Sequence, residues 1–513
     1  MLRYELMFHV GEARSLQKCG RQRRTKTDDF GRLVEVVEPN PTGDGTVAAA
    51  GSLQTSYSYD SLDQLTTVTQ GSQTRSFKYD SLGRLTRQKL AEQTATLNDA
   101  GTYVGPNGTG AAWSDAFTYD ARSNITKRID ARGVETDFSY QISGNTDPLN
   151  RLQGISYSTA NADQTYTIDP ANAVTLSYET TGDQTRIASV ATSGTITGTT
   201  ETNSYDTEGR ISDYTLTLAN RTLYPMQTSY EYDDAGRLTK ITYPKQYGIA
   251  SEPRKEVVPT YDEASRLTQM TVGGQVQLSG LQYNAMSQVT QLTTGNPTGT
   301  TDTTENYGYD SATGLLTSQT ATRTSDSTML LNLTYDYARG NSNGNLSGKT
   351  GQLTSITNNL DHNKDRSFEF DALGRLKAAK GGLAAGATGV TANWSQSYTY
   401  DRYGNKTAVS SAGVTADSNA VPTDGIPSLT YDQPSNRINT SGYTYDNAGN
   451  MIRGQSAAGT WVNFEYDAAG RLVKVLDDAA PTHNVLETYT YGADRSRLAN
   501  ATASQTTYYA WGG

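Results

Sequence analysis

One short pattern of aromatic, polar and apolar positions recurs along almost the whole chain. Its form is Tyr-Asp-x-x-Gly-Arg-Leu, and the segment that begins at Tyr466 matches it fully. Further clear copies begin at Tyr79, Tyr205, Tyr232, Phe370, Tyr400 and Tyr445. Weaker copies begin at Tyr59, Tyr119, Tyr178, Tyr261, Tyr283, Tyr309, Tyr335, Tyr431 and Tyr491. Intervals of about 20 to 35 residues are typical of repeat arrays, so the chain is predicted to repeat one small structural unit.

Each copy is predicted to be a β-hairpin. Asp467 stands where a type I turn favours Asp, because the carboxylate accepts hydrogen bonds from backbone amides ahead of it. Gly470 can take the left-handed conformation without a Cβ clash. A type I turn followed by such a residue joins two strands through a G1 bulge. Gly is replaced at this position by Asp63, Ser123, Ser265 and Ser287.

The strand that enters each turn carries two aromatic residues, two positions apart. This spacing places both rings on one face of the strand, while the residue between them, usually polar, faces water. We therefore expect rows of rings along one face of a sheet. The pairs are Tyr57/Tyr59, Phe77/Tyr79, Phe117/Tyr119, Phe138/Tyr140, Tyr230/Tyr232, Tyr307/Tyr309, Phe368/Phe370, Tyr398/Tyr400, Tyr443/Tyr445, Phe464/Tyr466 and Tyr489/Tyr491.

The choice of aromatic residue predicts a sheet one layer thick rather than a packed sandwich. The chain has Tyr 34 against Phe 8, and only 35% of its residues are hydrophobic. A dry core would favour Phe and aliphatic side chains, whereas Tyr hydroxyls need partners or water. No helical period is sustained, so the predicted fold class is all-β, with repeated hairpins that form a β-sheet ribbon.

Charge and cysteine content disfavour several classes of function. The net charge of -10 and the pI near 5.0 argue against a nucleic-acid-binding surface. The basic segment 14–26 is interpreted as a solvated hairpin rather than an anion site. Cys19 is the only cysteine, so no disulfide can form within the chain. No apolar run suits a membrane-spanning helix, and residues 1–10 do not resemble a signal peptide.

We expect three regions along the chain. Residues 1–19 are predicted to be irregular or misassigned, residues 20–500 to form one continuous array, and residues 501–513 to begin a further, truncated unit. Four stretches interrupt the repeat and are predicted to be loops or strand extensions. They are 91–115, 340–345, 378–396 and 409–428.

The array of Tyr-Asp-x-x-Gly-Arg-Leu copies resembles the Rhs/YD-repeat family. This family includes bacterial Rhs proteins, wall-associated proteins, the B and C components of insecticidal toxin complexes, and teneurins. The resemblance covers residues 20–500 and extends to both motif and interval. It implies a ribbon that spirals into a hollow shell, which in toxin-bearing members encloses a C-terminal toxin domain. Members are also described as binding carbohydrate.

The family's self-cleavage motif is missing from this sequence. Complete bacterial members end in a segment with Asp-Pro-x-Gly, at which some cleave themselves. Here the Asp-Pro pairs are Asp147-Pro148 and Asp169-Pro170, and neither has Gly at the required place. Self-cleavage and an attached toxin are therefore not carried over to this chain.

Residues that commonly carry catalysis are few and form no motif. His9, His362 and His483 are interpreted as surface or loop residues, and Cys19 as an incidental thiol. The acidic pairs at 28–29, 233–234 and 477–478 are interpreted as turn caps or solvated charge, because no calcium-binding loop accompanies them. We assign no catalytic, cofactor-binding or metal-binding residue and expect no cofactor. A carboxylate pair for glycoside hydrolysis stays open.

A recurring arginine follows the turn in the clear copies. We expect it to pair with an acid of the neighbouring hairpin rather than to bind a ligand. It stands at Arg84, Arg210, Arg237, Arg375 and Arg471.

The sequence favours a non-enzymatic scaffold or container segment of a larger secreted or cell-surface bacterial protein, associated with a polymorphic toxin. Its expected partner is a C-terminal toxin or effector domain missing from this chain, with glycans second and nucleic acid disfavoured. The alternative is an extracellular carbohydrate-binding or adhesion protein, because Tyr faces can stack on sugar rings. A hydrolase or self-processing enzyme is the third hypothesis. The resemblance implies an extracellular or cell-envelope location.

Overall fold

Strands dominate the computed structural model of the chain. The described residues are 14–18, 21–43, 45–48, 50–163, 165–193, 198–223, 225–245, 253–295, 302–339, 349–382, 393–413, 429–456, 458–479 and 481–509. They form 41 β-strands and two 3₁₀ helices, and no α-helix lies among them. The predicted all-β fold class is confirmed.

The first half of the strands runs from residue 14 to residue 261. The 3₁₀ helix Ala219–Arg221 follows strand β18. The strands are β1 (Arg14–Lys18), β2 (Arg21–Thr27), β3 (Leu33–Glu38), β4 (Leu53–Tyr59), β5 (Leu65–Gln70), β6 (Gln73–Tyr79), β7 (Leu85–Lys89), β8 (Asp115–Tyr119), β9 (Ile125–Ile129), β10 (Glu135–Ser139), β11 (Gln141–Ile142), β12 (Asn145–Thr146), β13 (Gly154–Ser158), β14 (Ile168–Asp169), β15 (Val174–Tyr178), β16 (Ile187–Thr192), β17 (Thr199–Tyr205), β18 (Ile211–Leu218), β19 (Met226–Tyr232), β20 (Leu238–Thr242) and β21 (Glu256–Tyr261).

The second half of the strands runs from residue 267 to residue 508. The 3₁₀ helix His362–Lys364 follows strand β28. The strands are β22 (Leu267–Val272), β23 (Gln275–Tyr283), β24 (Val289–Thr294), β25 (Thr303–Tyr309), β26 (Leu316–Arg323), β27 (Met329–Arg339), β28 (Lys349–Asn358), β29 (Arg366–Phe370), β30 (Leu376–Gly381), β31 (Trp394–Tyr400), β32 (Lys406–Gly413), β33 (Tyr431–Asp432), β34 (Arg437–Ile438), β35 (Thr444–Tyr445), β36 (Met451–Gln455), β37 (Trp461–Asp467), β38 (Leu472–Asp477), β39 (Val485–Tyr491), β40 (Arg497–Ala501) and β41 (Thr506–Tyr508).

The chain divides into two compact units, each made of segments far apart in sequence. Unit 1 contains Met1–Thr74, Tyr261–Met270 and Gln275–Thr440. Unit 2 contains Arg75–Thr260, Thr271–Gly274 and Ser441–Gly513. Strand β1 lies inside the segment 1–19 that was expected to be irregular, and β41 inside 501–513. The expected boundaries at 19/20 and 500/501 stay predictions.

Successive strands pair antiparallel and share one type of register shift. In hairpin β17–β18 Ser204 pairs with Asp213 but Tyr205 pairs with Ile211, so the strand that leaves the turn has one extra residue, Ser212. The same shift occurs in hairpins β4–β5, β6–β7, β8–β9, β25–β26, β29–β30, β31–β32, β37–β38 and β39–β40. The predicted ribbon of hairpins with G1 bulges is confirmed.

Turn conformations follow the sequence prediction closely. Gly470 has φ 74°, and its N–H donates to the Asp467 carbonyl at 2.9 Å. The substituted positions adopt the same left-handed conformation although they carry a Cβ. Their φ values are 64° at Asp63, 66° at Ser123, 62° at Ser265 and 59° at Ser287.

Four weak copies differ from the predicted turn. The loops after Tyr178, Tyr309 and Tyr431 are closed by pairing between the ends of segments 179–186, 310–315 and 432–437, so all three are longer than expected. At Tyr335 the strand continues to Arg339, and residues 340–348 lie outside the described residues. The hairpin predicted directly after Tyr335 is therefore wrong, because the Asp-Tyr-Ala-Arg sequence pairs within β27 and β28 instead.

Two turns of the repeat type were missed because they lack the preceding tyrosine motif. In segment 130–133 the N–H of Gly133 donates to the Asp130 carbonyl at 2.9 Å. In segment 147–150 the N–H of Asn150 donates to the Asp147 carbonyl at 2.9 Å, and Asn150 has φ 57°. Asp147 and Asp130 thus hold the same turn position as the other repeat aspartates.

The stretches that interrupt the repeat have different outcomes. Segment 91–115 connects β7 with β8, and in it Leu97 is fully buried and forms β-bridges with Tyr103 and Trp113. Segment 378–396 includes the end of β30 and the start of β31, while segment 409–428 includes the end of β32. Residues 340–345, 383–392 and 414–428 of these stretches lie outside the described residues.

Candidate functional site

The repeat side chains form a latch between neighbouring hairpins. Arg84 donates from Nε to Asp80 Oδ2 of its own turn at 2.8 Å and from Nη1 to the Asp120 carbonyl of the next turn at 3.0 Å. Its guanidinium lies 4.7 Å from the ring centre of Tyr119. The Tyr119 hydroxyl donates back to the Leu85 carbonyl at 2.7 Å. One arginine and one tyrosine therefore join two hairpins through three contacts, while the bond to Asp80 fixes the arginine in its own turn.

The latch recurs in both units with nearly constant geometry. The Arg Nε to Asp Oδ2 distance is 2.7 to 2.8 Å at Arg32, Arg84, Arg210, Arg375 and Arg471. The tyrosine hydroxyl lies 2.7 to 3.0 Å from the accepting carbonyl at Tyr59, Tyr119, Tyr205, Tyr232, Tyr283, Tyr309, Tyr400 and Tyr491.

The expected partner of the recurring arginine was wrong in most copies. Each arginine pairs with the aspartate of its own turn, as Arg210 does with Asp206. The next hairpin is reached through a backbone carbonyl and a ring face at Arg84, Arg210, Arg375 and Arg471. Arg32 also contacts an acid of the next hairpin, with Nη1 at 2.6 Å from Asp63 Oδ1. The backbone carbonyl is the usual acceptor because the next aspartate is already occupied by its own turn.

The latch holds its carboxylates in the charged form. The pKa of Asp80 is lowered, first by the hydrogen bond from the Arg84 backbone N–H, which outweighs desolvation, and then by the Arg84 side chain. The pKa of Tyr119 is raised, chiefly because burial disfavours the phenolate. Neither side chain is therefore tuned as a proton-transfer group near neutral pH.

Unit 2 contains a seam at which its early and late repeats meet. Arg132 is 2% exposed and binds Asp130 Oδ2 at 2.7 Å. Its Nη1 and Nη2 donate to the carbonyls of Asp467 and Ala468 at 2.9 and 3.0 Å. A buried guanidinium with one carboxylate and two carbonyls is well satisfied. Arg132 thus fixes the early turn 130–133 against the late turn 467–470.

Backbone pairing supports the same seam. The short strand β14 pairs in parallel with β37, with Ile168 opposite Tyr466 and Asp169 opposite Asp467. The N–H of Ala468 donates to the Asp169 carbonyl at 2.8 Å. The segment around β14 therefore leaves the early repeats and adds a strand to the late sheet.

A cleft of 490 Å³ lies beside this added strand. Its lining includes Asp169, Lys474, Tyr489 and Tyr491. Lys474 Nζ lies 2.8 Å from Asp169 Oδ2 and 2.7 Å from Glu465 Oε2, so its charge is matched inside the unit. The cleft is polar and aromatic, which suits a small hydroxylated ligand.

Buried carboxyl groups accompany the seam. Asp446 is 2% exposed, and burial raises its pKa although Asn450 hydrogen-bonds the carboxylate. Burial also raises the pKa of Glu201, which accepts a hydrogen bond from the Tyr214 hydroxyl at 3.0 Å. Burial raises the pKa of Tyr466 to about 12. These groups are part of the packed seam rather than of an open cleft.

The residues considered for catalysis are dispersed. His362 is exposed on its short helix, with Nδ1 at 3.0 Å from Asp365 Oδ2. His483 is an exposed loop residue with Nδ1 at 2.9 Å from the Asp477 carbonyl oxygen. His9 and Cys19 lie outside the described residues. In the described part of the chain no group of three or more His, Cys, Asp or Glu side chains is arranged to hold a metal ion.

The acidic pairs serve the turns and loops around them. Asp28 and Asp233 each accept hydrogen bonds within their own turns. Asp477 accepts from the Asn484 side chain at 2.7 Å, and Asp478 pairs with Arg453 at 2.6 Å. Within the described ranges, neither helical segment has the length or apolar character needed to cross a bilayer.

The seam residues were not identified from the sequence. Arg132 and Asp130 belong to the missed turn 130–133, whose Asp-x-x-Gly spacing was the available signal. Asp446 was recognised only as a turn aspartate. Nothing local to Ile168 and Asp169 indicates that they pair with a strand about 300 positions later.

Comparisons with known proteins agree with the repeat pattern. A family model described as RHS Repeat matches residues 59–95 and 205–246. Comparison with curated proteins gives no match.

Solved toxin-complex structures share the fold. A crystal structure of TcdB2-TccC3 is 18% identical with a TM-score of 0.69, covering 95% of this chain and 24% of that chain. The same values hold for TcdB2-TccC3 without its hypervariable C-terminal region and for the Photorhabdus luminescens Tc holotoxin pore with a mutated TccC3. The chain thus spans about a quarter of those structures. The repeats and the family model agree that the chain contains Rhs repeats, and the solved structures share its fold.

Proposed function

We propose that this chain is a non-enzymatic scaffold or container segment of a larger secreted or cell-surface bacterial protein associated with a polymorphic toxin. The observation that carries the proposal is the latch. The Asp, Arg and Tyr side chains that could bind or transform a ligand are engaged with each other and with backbone carbonyls. Such an arrangement stabilises a wall and leaves few groups poised for chemistry.

The comparisons support this proposal through the proteins that share the fold. One matched structure is of TcdB2-TccC3 without its hypervariable C-terminal region, and another is a holotoxin pore. A ribbon of this fold, followed in the same polypeptide by a variable effector, suits a protein that stores its cargo.

The test is protease protection in the complete reading frame that contains this chain. We expect any domain following the ribbon to resist protease until the ribbon is unfolded by urea. The matched control is the same domain expressed alone, which should be digested without urea. Equal digestion of the attached and detached domains would contradict the container function.

The alternative, a carbohydrate-binding or adhesion protein, is favoured by the cleft beside β14. Tyr489 and Tyr491 line it together with the Asp169–Lys474 ion pair. Rings next to charged hydrogen-bonding groups are typical of sugar sites. Titration of neutral oligosaccharides, monitored by NMR, would show shifts that Tyr489→Ala removes and Tyr443→Ala retains. If no saturable shifts appear, the carbohydrate-binding alternative is rejected and only the scaffold function remains.

A further inference from the structure

Hydrogen bonds between repeats form two groups, one with short and one with long sequence separation. Side-chain bonds between neighbouring repeats span up to 39 positions, as between Arg84 and Ser123. Bonds between distant repeats of one unit span 281 to 353 positions. Both units show the longer separation, at 331 to 348 positions in unit 1 and 281 to 353 positions in unit 2. Late repeats therefore meet early ones at a recurring distance along the chain.

Most of these long contacts involve a turn tip, that is, one of the two central residues of a turn. In unit 1 the tip of turn 401–404 docks on an early hairpin. Arg402 Nη2 donates to the Gln54 carbonyl at 2.8 Å, and the Tyr403 hydroxyl donates to the Gln70 carbonyl at 2.9 Å. A Cβ on Gly71, which has φ 60°, would lie 2.5 Å from Arg402 Nη1. The hairpin accepts this tip only because glycine stands there.

Other late turns dock in the same way. The tip N–H of Ala372 donates to the Pro41 carbonyl at 3.2 Å in unit 1. In unit 2 the tip residue Asn447 donates to Asp163 Oδ2 at 2.7 Å, and the tip N–H of Ala493 donates to Glu201 Oε1 at 3.4 Å.

A docked tip can also be apolar. Ala468, at the tip of turn 467–470, is 3% exposed. It packs in one cluster with Val134 and Ala162, against Ile168 and Tyr157. The contact spans the same long sequence separation as the polar ones, so tip docking includes hydrophobic burial.

Early turns carry large apolar tips that are exposed. All of them occupy the second tip position, which Arg132 and Tyr403 use for docking. Isolated exposed apolar residues are common on protein surfaces, but their repetition at one docking position is not explained by that. The exposed fractions are 80% at Phe30, 65% at Leu62, 72% at Leu82, 47% at Leu149 and 54% at Met286.

We propose that these early apolar tips dock on a further stretch of the same YD-repeat ribbon, lying about 280 to 350 positions earlier in the complete polypeptide. Each docked late turn has its partner segment within the chain. For turns 28–31, 60–63 and 80–83 the corresponding partner would precede Met1. The inference rests on the proposed assignment of this chain to a larger protein, and it specifies an apolar ribbon surface as the occupant.

Photo-crosslinking in the complete reading frame tests the docking. A benzoylphenylalanine at Leu62 should crosslink to a segment 281 to 353 positions upstream. The same probe at Tyr403 is the positive control and should crosslink within 54–72, because that docking is already described. Crosslinks from position 62 to other segments would overturn the proposal. So would no crosslink at 62 when 403 succeeds, or a reading frame too short upstream.

Charge substitution gives a second measurement. Leu62→Asp should lower the thermal midpoint of the complete protein but leave that of this chain alone unchanged, because the tip is exposed in the chain alone. Ser58→Asp, at an exposed strand position of the same hairpin and outside the tip, is the matched control and should shift the midpoints of both proteins alike. Equal effects of Leu62→Asp in both proteins would count against docking. Protease protection of a cargo domain is a separate readout, so it can fail while the crosslink is found.

Discussion

The hydroxyl of Tyr59 donates a hydrogen bond to the backbone carbonyl of Leu33, 2.9 Å away in the preceding hairpin. The guanidinium of Arg32 lies 5.0 Å from the centre of the same ring. The sequence left open whether the repeat hydroxyls bind protein partners or water. In the latch, the hydroxyl of the second tyrosine of the pair donates a hydrogen bond to the backbone of the neighbouring hairpin. This explains why the repeat strongly prefers Tyr over Phe.

Loss of this hydroxyl should destabilise unit 1 measurably. Tyr59→Phe leaves a carbonyl without its donor, and we expect a loss of about 1 kcal/mol of unfolding free energy. Tyr57→Phe is the control from the same strand, because no hydrogen bond to its hydroxyl is found in the described part of the chain. Urea denaturation compares the two. Equal losses in the two variants would show that the Tyr59 hydrogen bond does not contribute to the free energy of unfolding.

Backbone conformation at the turn should limit substitution at Gly470. Its φ is 74°, and the nearest atom to an added Cβ is Arg132 Nη2 at 3.7 Å. Space is therefore available, and Gly470→Val should be strained by the backbone alone, costing about 1 to 3 kcal/mol. Gly470→Asn should cost less, because Asn adopts this conformation more readily. Hydrogen exchange should show lost protection in residues 445–491 for the valine variant only.

Glycine should stabilise the turns that lack it. Ser287 has φ 59°, and Ser287→Gly should raise stability by about 0.5 to 1 kcal/mol, since the relieved strain exceeds the added chain entropy. Ser58→Gly, in the extended strand β4, should lower stability by about the same amount. Thermal unfolding of both variants is the measurement. A shift of the same sign in both would refute the strain argument.

The buried seam should depend strongly on Arg132. Arg132→Met leaves the Asp130 carboxylate buried without its partner, so we expect a loss of about 3 to 5 kcal/mol. Asp130→Asn in the same protein should restore part of this loss. Arg210→Met is the control, because this latch arginine is more exposed and should give a much smaller shift. Denaturant midpoints of the four proteins decide the matter.

Stability should increase as the pH falls from neutral toward the ordinary pKa of glutamate, about 4.3. Burial raises the pKa of Glu201, so the native carboxyl binds its proton more tightly than the unfolded one. This stabilisation is fully present below the unfolded pKa and is lost as the pH rises through the native pKa. Glu201→Gln should flatten the profile of urea midpoint against pH.

Asp147 should act in the opposite direction at lower pH. The Arg151 side chain, as the largest cause, lowers the pKa of Asp147 to about 2. Its stabilisation is therefore present above the unfolded pKa of about 3.9 and is lost as the pH falls toward 2. Asp147→Asn should reduce the acid sensitivity of the midpoint in this range.

Local chemistry made the hairpins predictable from the sequence. Asp and Gly at fixed spacing determine the turn wherever both occur, and the spacing of two aromatic residues gives the strand face. Ser123, Ser265 and Ser287 were the least supported turn residues, yet all three adopt the left-handed conformation. There the neighbouring strand pairing and the Asp cap override the weaker preference of serine.

The contacts of the latch and the seam could be identified only from the three-dimensional structure. The arginine partner was misassigned because the sequence cannot show that each turn aspartate is already satisfied by its own backbone and arginine. The contact of Arg132 with Asp467 spans 335 positions, and no local pattern encodes such a distance. Arg132 and Asp467 meet because a late part of the ribbon lies beside an early part. The periodicity of side chains along a single strand carries no information about that arrangement.

The parallel pairing of β14 with β37 also means that β14 is synthesised well before its partner strand. At about 5 to 20 residues per second, Asp467 leaves the ribosome roughly 15 to 60 s after Asp169. During that interval the backbone of Ile168 and Asp169 and the charge of Arg132 have no late partner. A nascent chain of this kind would benefit from a chaperone until its last hairpins emerge, whereas the early hairpins can form as soon as they are translated.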